Sequence, residues 1–329
     1  MKRNVKSITG FICGLALFSG GMIGATATAA AGYPEKPVRL VVPYSAGGST
    51  DTVARIMSAR LSERLGQQIV LDNRTGAGTL IGTEIVARSA PDGYTLLVAT
   101  PPTAVNPTLY GKVPYDLKRD FVAVTNVAGS SNLLVVHPSV PVKSTRELIA
   151  LLKAAPGKYN FGSSGVGGAS HLAMALFESM AGVDVAHVPY KGGAPAVIDL
   201  VAGRLSLMMA NLTTAQPHIR AGRLRGLGVG TKVRSPLFPD MPTISESGVP
   251  GYEANNWNGI IAPAGTPRPI IERLHREITG VLKEPVIAER MAAAGLEPIG
   301  DTPAEFSAYL LAETDKWGKL VKRAGIKAE

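Results

Sequence analysis

The chain has 329 residues, with 34 Lys+Arg against 25 Asp+Glu for a formal net charge of +9, and 45% of it is hydrophobic. That length exceeds a single hydrophobic core and suits two, the apolar fraction excludes wholesale disorder, and one cysteine excludes a disulfide framework. The basic residues are scattered, without the cluster or stripe that nucleic-acid binding needs, so no nucleic-acid partner is expected. A general preference for anions remains.

Lys2, Arg3 and Lys6 open the chain, Ile8 to Ile23 carries no charge, and Ala25 to Ala31 is rich in small residues. This is the three-part pattern of a cleaved secretory signal over residues 1–31. The apolar run is broken by glycines and shorter than the ~20 residues of a membrane span. Cys13 follows Gly10-Phe11-Ile12, which lacks the small residue expected before a lipidated cysteine. The mature chain is therefore expected to start near Ala31 without cysteine. Loss of three positive charges from +9 leaves +6. No later stretch is apolar enough to span a bilayer, so a soluble, exported protein is expected.

The remainder reads as β-α units. Val38–Val42 is a buried strand. Val53, Met57, Leu61 and Leu65 then recur every four residues and predict a helix that stops at Gly66. Strand at 68–71, loop at 73–78, helix at 80–90 and strand at 95–99 follow. Residues 100–120 carry four prolines and predict a long connection. Residues 121–127 and 133–136 read as two strands, and 148–153 as helix. The rhythm restarts with strand 159–161, a glycine loop at 162–168, helix 170–180 and strand 185–188. Helix 194–202 and strand 205–210 come next; Pro217 breaks the next apolar stretch, and 224–229 is strand. Residues 256–262 read as strand, 270–282 as a helix led in by Thr266-Pro267, and 306–322 as a long amphipathic helix. Alternation of this kind indicates parallel sheets with helices on both faces.

Two loops resemble each other, Ser45-Ala46-Gly47-Gly48-Ser49-Thr50-Asp51 and Gly162 to His171. Each lies between a strand end and a helix start. Such places offer unpaired backbone N–H groups and the positive end of a helix dipole. Glycines allow close approach of a ligand, and Ser and Thr add hydroxyl donors. The echo suggests two similar lobes with facing anion cradles. If Gly48 is the N-cap, Asp51 stands at the third helical position, and its carboxylate reaches back to the loop backbone. His171 lies in the first turn of its own helix, as a structural residue or a donor to an anion.

Enzyme patterns fail one by one. Gly167-Gly168-Ala169 lacks the lysine of a phosphate loop, and Gly165 to Ser170 ends in Ser where a dinucleotide fingerprint needs Gly or Ala. Val166 stands where a hydrolase elbow needs Gly. The five histidines, at 137, 171, 187, 218 and 275, show no metal-ligand spacing. No enzyme activity, metal or cofactor is expected.

From Tyr33-Pro34 to the C-terminus the chain resembles the substrate-binding proteins of tripartite tricarboxylate transporters, the Bug-type solute-binding proteins. The resemblance is carried in order by residues 43–51, Asn73 to Gly78, Pro91 to Thr95, Gly162 to Gly165 with His171-Leu172-Ala173, and Val188 to Gly192. Gln216 to Ile219, Phe238 to Thr243 and Ala262 to Pro267 complete the set. It implies an α/β, two-lobe periplasmic-binding-protein type II fold, each lobe a mainly parallel sheet flanked by helices. Lobe 1 would hold residues 33–132 and 256–329, and lobe 2 residues 133–255, with crossing strands near 133–137 and 256–260. It implies a monomeric receptor that closes on a small organic carboxylate (a di- or tricarboxylate, an acidic amino acid or an aromatic acid) and serves membrane transporter subunits. By the same resemblance Ser45, Ala46, Gly47 and Asp51 serve one lobe, and Ser163, Ser164, Gly165, Gly167 and His171 the other. Tyr44, Thr100, Asn211 and Trp257 would meet the distal end of the ligand. Two departures matter. Met209-Ala210-Asn211 stands where the family often has Phe-Asp-Asn, and Tyr44 where Phe is frequent. A ligand-binding sensor that reports to a membrane receptor is the alternative.

Overall fold

The computed structural model describes Met1 and residues 32–324. The expected signal segment otherwise lies outside the described residues. Ten strands follow in chain order: β1 Val38–Val42, β2 Ile69–Asn73, β3 Thr95–Ala99, β4 Phe121–Val136, β5 Asn160–Ser163, β6 Ala186–Pro189, β7 Leu207–Asn211, β8 Arg225–Val229, β9 Asn255–Pro263 and β10 Leu296–Pro298. Ten α-helices join them: α1 Ser49–Leu65, α2 Leu80–Ala87, α3 Pro101–Leu109, α4 Thr145–Ala154, α5 Ala169–Ala181, α6 Gly193–Val201, α7 Leu212–Arg220, α8 Arg268–Leu282, α9 Pro285–Ala293 and α10 Pro303–Ala324.

The strand order is β2-β1-β3-β9-β4-β7-β5-β6, and β8 and β10 also pair with β4. At one end β1 lies parallel to β2 and β3. At the other, β5 lies parallel to β6 and β7. The antiparallel pair β9 and β4 runs between them. In a parallel sheet the strand ends feed loops on one edge, which is why the loops after β1 and β5 become the site.

Strand β4 is one strand of 16 residues, not the two expected. The polar stretch Gly129-Ser130-Ser131-Asn132 interrupts the apolar pattern but not the ladder. Residues up to Ser131 pair with β9, and those from Asn132 onward pair with β7. The chain returns close by, where Ala254 N–H donates to Gly230 O and Asn132 Nδ2 donates to Ala254 O.

The stretch expected as a long connection at 100–120 contains α3. Its prolines 101 and 102 occupy the first two helical positions, where no N–H is needed, and Thr100 and Thr103 form a reciprocal cap. Pro107 inside the helix leaves the Thr103 carbonyl without its helical donor, and the Tyr115 hydroxyl supplies one at 3.0 Å. Likewise α7 runs on through Pro217. Its start is fixed by Asn211, whose side chain accepts from Thr213 N–H. Helix α9 and strand β10 were not expected.

Val41, Leu97, Phe121, Trp257, Ile261 and Phe306 centre the core of the first half. The second half has one core around Leu134, Phe161, Phe177 and Tyr252 and another around Leu133, Val197 and Met208. Helix α10 reaches both halves, through Phe306 and Leu310 on one side and Trp317, Leu320 and Val321 on the other. Between them lies Glu313, 6% exposed, which accepts from Trp257 Nε1 at 3.0 Å and Trp317 Nε1 at 2.7 Å.

Candidate functional site

The loop after β1 ends in the N-cap Gly48 and the loop after β5 in the N-cap Gly168. Both have extended backbone, and neither helix start has a side-chain cap. The first intrahelical donors are Thr52 N–H to Gly48 O and Leu172 N–H to Gly168 O. The amides of Ser49, Thr50 and Asp51, and of Ala169, Ser170 and His171, therefore have no helical acceptor.

The two loops share one device. Gly47 and Gly167 precede the caps with φ of +79° and +71°, a region that favours glycine. Gly47 N–H donates to Asp51 Oδ2 at 2.9 Å, and Gly167 N–H donates to His171 Nδ1 at 3.0 Å. In each loop the third helical residue ties down the glycine four residues earlier. The back-reach expected for Asp51 is present, and His171 does the same work.

Asp51 is 1% exposed. Its Oδ2 also accepts from Arg55 Nε at 2.7 Å, and its Oδ1 from Asn73 Nδ2 at 3.1 Å. Burial pushes its pKa up, but the Arg55, Gly47 and Asn73 hydrogen bonds outweigh that and hold the carboxyl below the usual range. His171 stacks on His187 with centroids 4.1 Å apart, and Phe161 stacks on His187 at 4.6 Å. Burial first, and His187 second, lower the His171 pKa to about 3. The ring is neutral and its Nδ1 accepts, so Nε2 carries its proton. Ser163 Oγ lies 2.6 Å from His187 Nε2 and accepts from Gly165 N–H. Ser170 Oγ accepts from Ser164 N–H at 2.7 Å and donates to Ser164 Oγ. Asp51, Ser163 and His171 thus shape the loops.

Both helix starts line one cavity of about 50 Å³, to which Gly48, Ser49, Thr50, Ala169 and Ser170 all contribute. Tyr44, Ser164, Asn132, Asn211, Asn256 and Thr214 also line it, and no lining residue is charged. Ser49 Oγ and Asn256 Oδ1 are buried there without a hydrogen-bond partner. Such groups cost roughly 1–3 kcal/mol each unless something occupies the space.

Of the expected site residues, Tyr44, Ser164 and Asn211 line this cavity; Tyr44 and Ser164 also line the chamber next to it, with Gly165. Asn211 caps α7 and donates to Ser130 Oγ at 2.7 Å. Thr100 is buried behind Tyr44, its Oγ1 3.5 Å from the Tyr44 hydroxyl. Trp257 is a core residue, 1% exposed. Ala46 and Gly47 are exposed on the loop. Ser45 abuts Gly192, where a Cβ would lie 2.5 Å from Ser45 Oγ. The sequence reading did not single out Asn132, Thr214 and Asn256 or the two helix-start pairs Ser49-Thr50 and Ala169-Ser170. Counting forward from the glycine caps identifies those pairs; nothing local marks the asparagines, which come from the crossing strands.

The two halves meet across the cleft. A Cβ on Gly78 would lie 2.5 Å from Val166 O, and one on Gly167 would overlap Leu109 of α3. Among the described residues no group of three or more His, Cys, Asp or Glu is placed to hold a metal, and no helix is long and apolar enough to cross a membrane.

A mixed, helix-flanked sheet of this order, parallel toward its two ends and antiparallel through β9 and β4, with paired helix starts facing one cleft, is the architecture of periplasmic binding proteins. The solved periplasmic binding protein BugD has the same fold, with a TM-score of 0.87 at 34% identity over 90% of this chain and 100% of that one. Residues 53–326 match the profile of the tripartite tricarboxylate transporter family receptors, and the chain belongs to that family. It is 42% identical over 290 residues to the UPF0065 protein in the tcbD-tcbE intergenic region of Pseudomonas sp. (strain P51), covering 88% of this chain and 86% of that protein. The structure of R. palustris Rpa4515 with adipate matches with a TM-score of 0.87 at 40% identity, covering 90% of this chain and 99% of the other. The family is described as one of transporter receptors, and BugD as a periplasmic binding protein.

Proposed function

We propose that this chain is a periplasmic receptor that captures a small organic carboxylate and delivers it to membrane subunits of a tripartite tricarboxylate-type transporter, without turnover. The observation that carries this reading is the uncharged cavity where two uncapped helix starts, one from each half of the sheet, meet a buried, unpartnered Ser49 hydroxyl. The adipate held by a relative at 40% identity supports the ligand class.

The donors suit an anion. Charge-assisted hydrogen bonds contribute about 1.5–3 kcal/mol each, and a helix start about 0.3–1, or ~2 when partly buried. Four or five such contacts, less the cost of ordering, leave roughly −8 kcal/mol, or micromolar affinity. Residues 33–132 with 256–329, and 133–255, would act as lobes that separate to admit the ligand and close to strip its water. Those boundaries lie close to where β4 changes partners.

The test is a thermal-shift screen of the purified protein against citrate, C4–C6 dicarboxylates, acidic amino acids and benzoate-type acids, with amides as controls. A ligand at ~100 times its Kd adds about 2.7 kcal/mol, a shift of several degrees. A shift with an acid and not with its amide supports the reading. Silence across the acids, after refolding to strip any carried-over ligand, contradicts it.

A further inference from the structure

A second chamber of about 480 Å³ adjoins the 50 Å³ cavity, and the two share Tyr44 and Ser164 in their walls. The smaller space fits a carboxylate head and no more. A space of roughly 150 Å³ holds a benzene ring, so the second chamber has room for the rest of a ligand. We propose that this chamber takes the flat, uncharged body of an aromatic carboxylic acid, with its carboxylate between the two helix starts. This deepens the carboxylate-receptor reading and rests on it.

The walls make the case. Pro43, Tyr44, Tyr110, Val166, Pro189 and Tyr190 line the chamber, together with residues 76–79. Three aromatic rings in one chamber stand out in a chain only 5% aromatic. Two of the three hydroxyls are engaged elsewhere. Tyr190 donates to Asp199 Oδ2 at 2.7 Å, and the Tyr44 hydroxyl lies 3.5 Å from Thr100 Oγ1. What these two residues have left to offer is ring surface. Burial raises the pKa of Tyr44 to about 12 and that of Tyr110 above its ordinary value, so both are neutral phenols. Aromatic pairs prefer offset or edge-to-face contact and add to plain burial of area.

The charges point the same way. Lys191 is the one charged residue in this lining, and it is exposed. A second carboxylate there would have Lys191 alone as a charge partner, at an exposed position where an ion pair contributes little. An aromatic body loses only apolar hydration, which favours entry.

The experiment is calorimetric titration of the purified protein with benzoate, adipate and benzamide, in wild type, Tyr110→Phe, Tyr110→Ala and Val166→Trp. The proposal expects benzoate to bind at least tenfold tighter than adipate and benzamide not to bind. Tyr110→Ala should weaken benzoate about tenfold and adipate less than twofold, whereas Tyr110→Phe should keep benzoate affinity. Val166→Trp fills the chamber from the opposite loop and should weaken benzoate at least tenfold, which keeps the test alive if Tyr110→Ala does not fold. Adipate binding tighter than benzoate, or benzoate indifferent to both Tyr110→Ala and Val166→Trp, overturns the aromatic chamber and leaves the carboxylate receptor standing. Failure of both acids overturns this proposal and leaves the receptor reading to the wider acid screen, whereas benzamide binding as well as benzoate overturns both.

Discussion

Asp51 gives the sharpest test of how the first loop is held. Its carboxylate accepts from Gly47 N–H, Arg55 Nε and Asn73 Nδ2 at 2.9, 2.7 and 3.1 Å. In Asp51→Ala all three bonds go. Arg55 has a side chain 56% exposed and returns to water at little cost. The Gly47 and Asn73 bonds are charge-assisted, worth about 1.5–3 kcal/mol each in a buried setting. Gly47 is exposed and water replaces part of its bond, so the net loss is about 2–4 kcal/mol. With Gly47 untied, the loop need not hold φ at +79°, and carboxylate affinity should fall tenfold or more. Asp51→Asn keeps one acceptor and should lie between. The pH dependence has a definite sign. The Asp51 pKa is below its unfolded value of about 3.9, so its stabilisation is complete above that pH and is lost as pH falls through the folded pKa. Urea denaturation at pH 7 and pH 3, with calorimetric titration of adipate and benzoate at pH 7, reads all of this. Unchanged stability and affinity in Asp51→Ala would refute the reasoning. Tighter binding would show that the carboxylate faces and repels the ligand.

Four further outcomes follow from the same geometry. His171 is neutral in the fold with a pKa near 3, whereas an unfolded histidine takes a proton near 6.5. Its stabilising effect is therefore full above about pH 6.5 and declines as pH falls toward 3, and His171→Met should remove that part of the acid sensitivity in denaturation curves. Glu313→Leu strands two buried indole N–H groups and should cost about 2–4 kcal/mol in urea denaturation, against a smaller loss for Glu313→Gln, which keeps an acceptor. Gly192 has φ of +140°, and a Cβ there would press on Ser45 Oγ. Gly192→Ala should hold the cleft open, weakening ligand and enlarging the radius of gyration in solution scattering. Gly66→Ala, at a left-handed helix end with nothing within 4 Å, should lose about 1 kcal/mol of stability and no affinity.

Where apolar periodicity was clean, the sequence placed elements closely. Strand Val38–Val42 and strand Thr95–Ala99 have the expected limits, and α1 stops at Gly66 in a left-handed cap. The glycine loops were legible because cap counting is local: Gly48 sets Asp51 three positions into its helix. Helix α3 was hidden by its prolines, which are harmless at positions 101 and 102 and compensated at 107 by a tyrosine eight residues on. The unity of β4 was hidden by a polar stretch whose partners come from β9, over a hundred residues away. Asn132 and Asn256 reach the cavity for the same reason. They sit on strands whose pairing no local pattern records.

The central claim is that amides from two helix starts donate to one carboxylate. Amide-resolved nuclear magnetic resonance of the uniformly labelled protein, titrated with benzoate and adipate in turn, addresses it directly. The account expects the amides of Ser49, Thr50, Ala169 and Ser170 to move together with a single Kd for whichever acid binds, and not to move with the amide analogue. Shifts confined to one helix start, or binding that leaves all four amides in place, would contradict it.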